Sequence, residues 1–402
     1  MKTRELRRRI AIVTHSYFEE DPRIRREAEA LIGAGWSVDV FALRRPDDAR
    51  TGELGGASVM RLDVGRHQGA SLPVYLWEYL SFLLRAGWAL TRAHRRRRYN
   101  VIQVAAPPDP LVLAALPARL AGVPVILDLH EATPEFFKSR FPGAINRVTD
   151  GALHLAERLS IGLADLALSV NDTRRRRLLR LGYPARKLAV VTNGPSLARF
   201  RPEVHPSRPF MADGSLRLIY AGALTPLYEL DVVLSAMARM HEERPGVRVV
   251  FDVYGRGDAD TRLQSMAETL GLADRVAFHG RVPLDDVPAA IAAADVGLSP
   301  MRRDPFTEIS LPTKILEYAA MNKPVVAADL PTARSEFPGT SLAWYAPGDA
   351  EGMAAAIGRL IDDETYRETS RQSAAERARE LSWDQEARQY VRLVEAAARG
   401  RR

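Results

Sequence analysis

The chain has 402 residues, 46% hydrophobic and 27% charged, with a net charge of +7 and no cysteine. Such a length and balance suit a globular protein of two or three domains, each with a sizeable core. The lack of cysteine excludes disulfides, thiolate catalysis and cysteine-ligated zinc.

The first nine residues are basic and run straight into an apolar, β-branched stretch at Ile10. They lack the apolar core and small-residue cleavage site of a signal peptide, and no apolar run is long enough to span a bilayer. A cytoplasmic protein is the expectation. The basic excess is clustered at residues 7–9, 95–98, 174–177 and 401–402. A cationic surface attracts nucleic acid, anionic lipid or phosphorylated substrates, and a solvated face explains each cluster as well.

In chain order, the spacing predicts strands at 10–13, 38–42, 59–62, 101–105, 125–129, 166–170 and 188–192. After a break it predicts strands at 216–221, 247–254, 276–279, 296–299, 325–328 and 342–345. Amphipathic helical stretches lie between them, which argues for βαβ units and parallel sheets. The apolar runs fit strands covered on both faces. Segment 195–215, with Pro195, Pro202, Pro206, Pro209 and Gly214 and no apolar period, reads as a linker. The last stretch, 383–398, is helical in pattern. The fold class is therefore α/β, with two Rossmann-like doubly wound domains facing an interdomain cleft at the carboxyl ends of both sheets.

Ligand-binding residues of such a fold follow strands. After the first strand, His15 lies in a loop, and Asp21-Pro22-Arg23 reads as an N-cap and helix start. Arg23 and Glu27 could line the cleft or form an i, i+4 surface pair. Segment 71–98 carries Trp77, Tyr79, Phe82 and Trp88 among leucines and ends in four arginines. Aromatics beside a basic block suit an anionic membrane interface, and the same spacing suits a helix on a sheet. His130-Glu131 follows the strand at 125–129, where a histidine can donate into a cleft.

In the second half, Gly222 follows a strand and allows close backbone approach to a phosphate, or a tight turn. Gly255-Arg256-Gly257 resembles part of a G-x-G-x-x-G element, but Asp260 stands where the third glycine belongs, so no dinucleotide fingerprint is read. Arg281 ends another strand, where it could stack on a base, pair with phosphate or face solvent. Segment 310–326 reads as loop, helix, turn and buried strand, with Ser310 as N-cap and Pro312 in the first turn. A helix start suits a phosphate, and Lys314 and Glu317 share one face. A cation near a phosphate and a carboxylate one turn on suit a nucleotide-diphosphate sugar; a capped helix with a surface pair fits the same pattern. No metal-ligand pattern, Walker A sequence or G-x-S-x-G elbow appears.

Four segments together carry a resemblance that covers almost the whole chain. They are residues 21–28 followed by Gly35-Trp36-Ser37-Val38, residues 127–131, Thr192-Asn193-Gly194-Pro195, and residues 310–326. The chain resembles a family 4 retaining glycosyltransferase of GT-B architecture, of the bacterial surface-polysaccharide type. The resemblance implies an N-terminal acceptor-binding domain at 1–197, a linker at 198–215 and a nucleotide-sugar-binding domain at 216–382. A C-terminal helix at 383–402 would return to the first domain.

It also implies roles. Glu317 would hold the donor ribose. Lys314 and the amides near Ser310, Leu311 and Pro312 would neutralise the diphosphate. Gly222 would admit the phosphates, and Arg281 and Val282 would flank the base. His130 would act at the reacting centre, with His15, Asp21, Arg23 and Glu131 on the acceptor or cleft side. No metal or cofactor is implied, the nucleotide-diphosphate sugar being a co-substrate, with a UDP-sugar favoured. The expected acceptor is a saccharide or lipid-linked saccharide, with an anionic inner-membrane surface as a partner and no nucleic acid.

Two departures from the family pattern stand out. The residue eight positions before Glu317 is Ile309, not glutamate, with Glu308 one place away. The segment after Gly222, residues 223–230, carries none of the cations that many members have there. The alternatives are a nucleotide-sugar epimerase of the same architecture and a non-catalytic polysaccharide-assembly or nucleic-acid-binding protein.

Overall fold

The computed structural model describes residues 8–65, 72–141, 143 and 145–400. Arg7, Ser71, Arg401 and Arg402, from the basic and aromatic segments above, lie outside the described residues. The chain divides into two compact units, Met1–Thr192 with Gln385–Arg402, and Asn193–Asp384.

The first unit is built on β1 (Arg9–Val13), β2 (Ser37–Leu43), β3 (Thr51–Leu54), β4 (Ala57–Leu62), β5 (Val101–Ala106), β6 (Val125–Leu129), β7 (Leu166–Ser169) and β8 (Leu188–Val190). Its sheet order is β3-β4-β2-β1-β5-β6-β7-β8. Every neighbouring pair is parallel except β3 with β4. The chain turns back across β1 to reach β5, which makes the β1–β5 boundary a topological switch point. Strand β3 has no counterpart in the sequence prediction because it is polar and exposed. Its antiparallel pairing is set by Gly55 and Gly56, whose φ angles of 59° and 80° make the two-residue turn.

Helices cover both faces of this sheet. Asp21 caps the helix Pro22–Gly33 by accepting the Ile24 N–H at 3.1 Å, as its sequence predicts. Helix Leu72–Arg97 buries Phe82, Ala86, Ala89 and Leu90. It lies close enough to the next segment that a Cβ on Gly87 would sit 3.5 Å from the Ala114 Cα. The C-terminal helix Trp383–Arg399 buries Tyr390 and Val394 completely.

The second unit holds β9 (Ser215–Ala221), β10 (Arg248–Tyr254), β11 (Val276–Gly280), β12 (Val296–Ser299), β13 (Val325–Ala328) and β14 (Ala343–Tyr345). The order is β11-β10-β9-β12-β13-β14, with a switch point between β9 and β12. All its pairs are parallel. Strands β12 and β13 are buried throughout, as the apolar runs predict, whereas edge strand β11 is nowhere fully buried. Helix Leu230–Glu243 presents Leu230, Val233, Leu234 and Met237 to this sheet.

Candidate active site

The second unit's site is built where β9 ends. The Ala221 N–H donates to the Tyr318 hydroxyl at 2.9 Å. Tyr318 belongs to helix Thr313–Ala320 and reaches the strand because Gly297 on β12 leaves room. A Cβ at Gly297 would lie 2.3 Å from the Tyr318 ring. Strand end and helix are thus fixed to each other by one hydroxyl and one missing side chain.

The helix begins differently from the sequence expectation. Pro312 is the cap itself, with extended backbone, and the first helical residue is Thr313. Ser310 does not cap this helix. Its Oγ donates to the Phe306 carbonyl at 2.7 Å, closing the short helix Pro305–Glu308. The helix start therefore has no side-chain cap. Leu311 and Pro312 are half-buried beside it, as is Glu317 one turn on.

Lys314 is only 6% exposed. Its Nζ donates to the Tyr220 hydroxyl at 3.2 Å and lies 4.3 Å from the Tyr220 ring centroid and 3.8 Å from that of Tyr228. Tyr220 in turn donates to the Ala223 carbonyl at 2.7 Å. A Cβ on Gly222 would stand 3.1 Å from Nζ, so the lysine head crowds the space that a side chain there would need. Burial pulls the Lys314 pKa down to about 7, with Glu317 opposing from three residues away. Gly222 and Lys314 are therefore brought together at the strand end.

The other glycines serve backbone packing. A Cβ on Gly255 would lie 1.8 Å from the Gly222 oxygen, and one on Gly257 2.0 Å from the Leu224 oxygen. The G-x-G fragment lets the loop after β10 lie against the loop after β9. Arg281 is exposed and Val282 half-buried past β11, two strands from β9, or about 10 Å across the sheet. Before them, His279 stacks on Tyr254 at 4.3 Å and meets Asp252 at 2.6 Å.

The first unit has its own polar cluster at the end of β6. His130 Nε2 meets Asp128 Oδ2 at 2.7 Å. Asp128 accepts a two-pronged bond from Arg23, at 2.9 and 2.8 Å, and Arg23 also donates to the Val191 carbonyl at 3.0 Å. Burial raises the Asp128 carboxyl, but Arg23 and His130 outweigh it and hold the group well below the usual carboxylate range. Burial lowers the His130 imidazolium, and the Asp128 charge and hydrogen bond more than reverse this, so the net shift is upward. Burial and the Asp128 charge push Glu27 up.

This arrangement corrects one expectation. Arg23 is 3% exposed and Glu27 0%, so their i, i+4 pair at 3.2 Å is formed but is buried and not on the surface. The guanidinium is shared between Glu27 and Asp128. The remaining candidates separate. His15 is buried with its ring edge-on to Tyr79 and Phe82, Asp21 is the helix cap and accepts from Ser16, and Glu131 pairs with Arg174 at 3.0 Å. Asp128 lies within segment 127–131, for which a role was expected only of His130 and Glu131. A carboxylate inside an apolar strand signals a buried partner, and that signal was present. Tyr220, Tyr228, Tyr318 and Gly297 offered no comparable signal.

A family profile described as a glycosyl transferase 4-like domain matches residues 21–194, and one described as glycosyl transferases group 1 matches residues 215–363. The chain belongs to the group 1 glycosyltransferases. It is a family 4-type hexosyltransferase that takes its sugar from a nucleotide-sugar donor. This glycosyltransferase is 27% identical to alpha-D-kanosaminyltransferase of Streptomyces kanamyceticus, over 88% of this chain and 92% of that one. It is 30% identical to the putative colanic acid biosynthesis glycosyltransferase WcaL of Escherichia coli K12, over 50% and 49% of the two chains.

Among solved structures, sucrose-phosphate synthase of Thermosynechococcus elongatus superposes with a TM-score of 0.77 at 19% identity, over 97% of this chain and 98% of that one. Anabaena HepE in complex with UDP-glucose gives 0.71 at 16%, over 96% and 99%. The fold is GT-B.

Proposed function

We propose that this glycosyltransferase moves a hexosyl unit from a nucleotide-diphosphate sugar, with UDP-sugars favoured, to a saccharide or lipid-linked saccharide in cell-surface polysaccharide or glycolipid synthesis. The anomeric configuration is retained. The observation that carries the donor reading is the Lys314 head held against Gly222 at a strand end, beside a helix start with no side-chain cap. A departing diphosphate needs charge stabilisation more than the reaction needs a strong nucleophile. Lys314 and the first-turn amides supply it, and Glu317 accepts from the ribose hydroxyls. Gly222 keeps a side chain out of the phosphate position, Ser310, Leu311 and Pro312 form the approach to the helix, and Arg281 with Val282 flanks the base. His130, oriented by Asp128, hydrogen-bonds the sugar at the reacting centre. His15, Asp21, Arg23 and Glu131 belong to the acceptor or cleft side. HepE, with UDP-glucose bound, supports the choice of UDP, and WcaL supports the polysaccharide setting.

Thermal melting against UDP-, GDP- and ADP-sugars, with Glu317→Ala alongside, tests this reading. A binder of the folded state raises the melting temperature by mass action. One nucleotide class is expected to stabilise the wild type and not the variant. No shift with any nucleotide at millimolar concentration would sink the donor assignment. Conversion of the donor sugar without any acceptor, seen by product analysis, would make the enzyme an epimerase.

A specific surface supports docking on an anionic membrane. Helix Leu72–Arg97 exposes Trp77 and Trp88, each 69%, together with Leu76, Leu80 and Leu84. Arg85, Arg92, Arg95 and Arg96 are exposed on the same helix, and its single carboxylate, Glu78, is buried. Apolar residues flanked by arginines suit the headgroup boundary. Among the described residues no helix is long and apolar enough to cross a membrane. Co-sedimentation with anionic vesicles at low salt, weakened by Trp77→Glu, is the expected result; equal recovery in the supernatant with neutral and anionic vesicles rejects it.

A further inference from the structure

Residues 223–230 carry no cation, yet this segment still meets the phosphate-binding lysine, through Tyr228. A buried ammonium is normally matched by a carboxylate, because leaving a charge unpaired in a low-dielectric interior is costly. Around Lys314 the surroundings are instead two tyrosine rings, one phenol oxygen and the backbone of Gly222. Ring faces attract a cation but do not cancel its charge. Glu317, one turn on, attracts this ammonium but does not outweigh its burial, so a diphosphate arriving at Gly222 would supply the stronger counter-charge.

We propose that Tyr220 and Tyr228 are positioning residues that hold Lys314 for the donor diphosphate, so that the nucleotide and a proton on Lys314 bind together. This rests on the donor reading above. The groups facing Lys314 are the Tyr220 and Tyr228 rings, with Tyr318 and Glu317 on its own helix. Burial raises the Tyr220 and Tyr318 phenols, so neither supplies the proton at neutral pH. The proton comes from solvent: a neutral amine becomes an ammonium as the diphosphate binds, and no other bond changes. Burial sets Lys314 near pH 7, where both forms are populated before binding.

Calorimetric titration with UDP, GDP and ADP, in two buffers of different ionisation enthalpy, counts protons for whichever nucleotide binds. At pH 8 the wild type is expected to take up close to one proton. Its affinity should fall roughly tenfold per pH unit above 7, because only the protonated fraction is competent. Lys314→Met should bind weakly with no uptake, which assigns the proton. Tyr228→Ala opens the cage to water, so uptake at pH 8 and the pH slope should both shrink, while Tyr228→Phe keeps the ring and should keep both. A loss of packing alone would lower stability without changing the proton count. A nucleotide that binds the wild type with no uptake and a flat pH profile overturns the cage and leaves the donor reading standing. Unchanged uptake in Tyr228→Ala also overturns it. Failure of all three nucleotides to bind removes the donor reading, and the cage with it.

Discussion

Two buried clusters, one in each unit, hold charge in opposite ways. In the first, Arg23 meets Asp128 through two bonds and Asp128 also holds His130, so each buried charge has an opposite one within hydrogen-bond reach. In the second, Lys314 is about as deeply buried but is met by tyrosine rings and a phenol oxygen. A matched pair is complete without ligand and fixes geometry, here the direction of the His130 ring. A cation met by rings, with Glu317 acting only from one turn on, leaves its charge less fully cancelled. On the donor reading, the contrast separates a charge that organises the protein from one that serves a substrate.

The largest expected break of this contrast is Asp128→Ala. It strips the buried Arg23 guanidinium of its two-pronged partner and leaves Glu27, 3.2 Å away, as the remaining carboxylate, which costs about 3 kcal/mol by urea unfolding. Replacing both partners, as Arg23→Met with Asp128→Leu, should recover most of that loss, because apolar residues of similar volume do not need each other's charge. A double variant as unstable as the single one would show that the pair is not the cause. Next in size is Gly297→Ala, which forces a methyl group into the Tyr318 ring and costs about 1–3 kcal/mol. Because Tyr318 ties the helix to Ala221, nucleotide affinity should fall along with stability. Unaltered nucleotide affinity in a destabilised Gly297→Ala would show that the helix position does not depend on this contact.

The same contrast explains what the sequence could disclose. Alternating apolar runs and helical stretches give both parallel sheets, because burial on two faces leaves a pattern within single segments. The polar hairpin strand β3 left none, since it buries little. Lys314, Glu317 and Gly222 are legible because a helix start, a cation one residue in and a strand-end glycine are local. The lysine's aromatic cage is assembled from Tyr220, Tyr228 and the helix at 313–320, nearly 100 positions apart, and no local pattern announces it. Arg23 was half legible for a related reason: its pair with Glu27, four residues on, is formed at 3.2 Å, but its two-pronged partner, Asp128, lies 105 positions away. The spacing within a helix names a face and does not say whether that face is wet.

Titration sharpens the contrast further. The Lys314 pKa is lowered on folding, so between about 7 and the unfolded value of 10.5 the unfolded chain binds the extra proton. Stability then rises with pH across that window. Measured against Lys314→Met by urea unfolding at pH 7, 8 and 9, the wild type should gain about 1 kcal/mol per pH unit on the variant. Arg334→Met offers the control: the guanidinium keeps its proton and its partner Asp329, its pKa held below the ordinary value, stays ionised, so its difference from the wild type should be flat over the same range. Parallel flat lines for both variants would mean that Lys314 is charged and compensated after all.

The smallest effect expected is at the far end of the first unit's network. Tyr390, on the C-terminal helix, donates to Gln103 Oε1 at 2.7 Å, and Gln103 donates to Glu27 at 2.6 Å. Glu27 lies 3.2 Å from Arg23, so the chain of polar contacts runs from the C-terminal helix through to Asp128 and His130. Tyr390→Phe removes one hydrogen bond and leaves a buried carbonyl oxygen unmet, a loss of about 1 kcal/mol. Because every charge in the cluster keeps its opposite, the His130 titration followed by NMR should remain shifted upward, as Asp128 alone is enough to hold it. Asp128→Asn, by contrast, should bring it down. If Tyr390→Phe moved the His130 titration as far as Asp128→Asn does, the imidazole would be governed by the whole network and not by its single carboxylate.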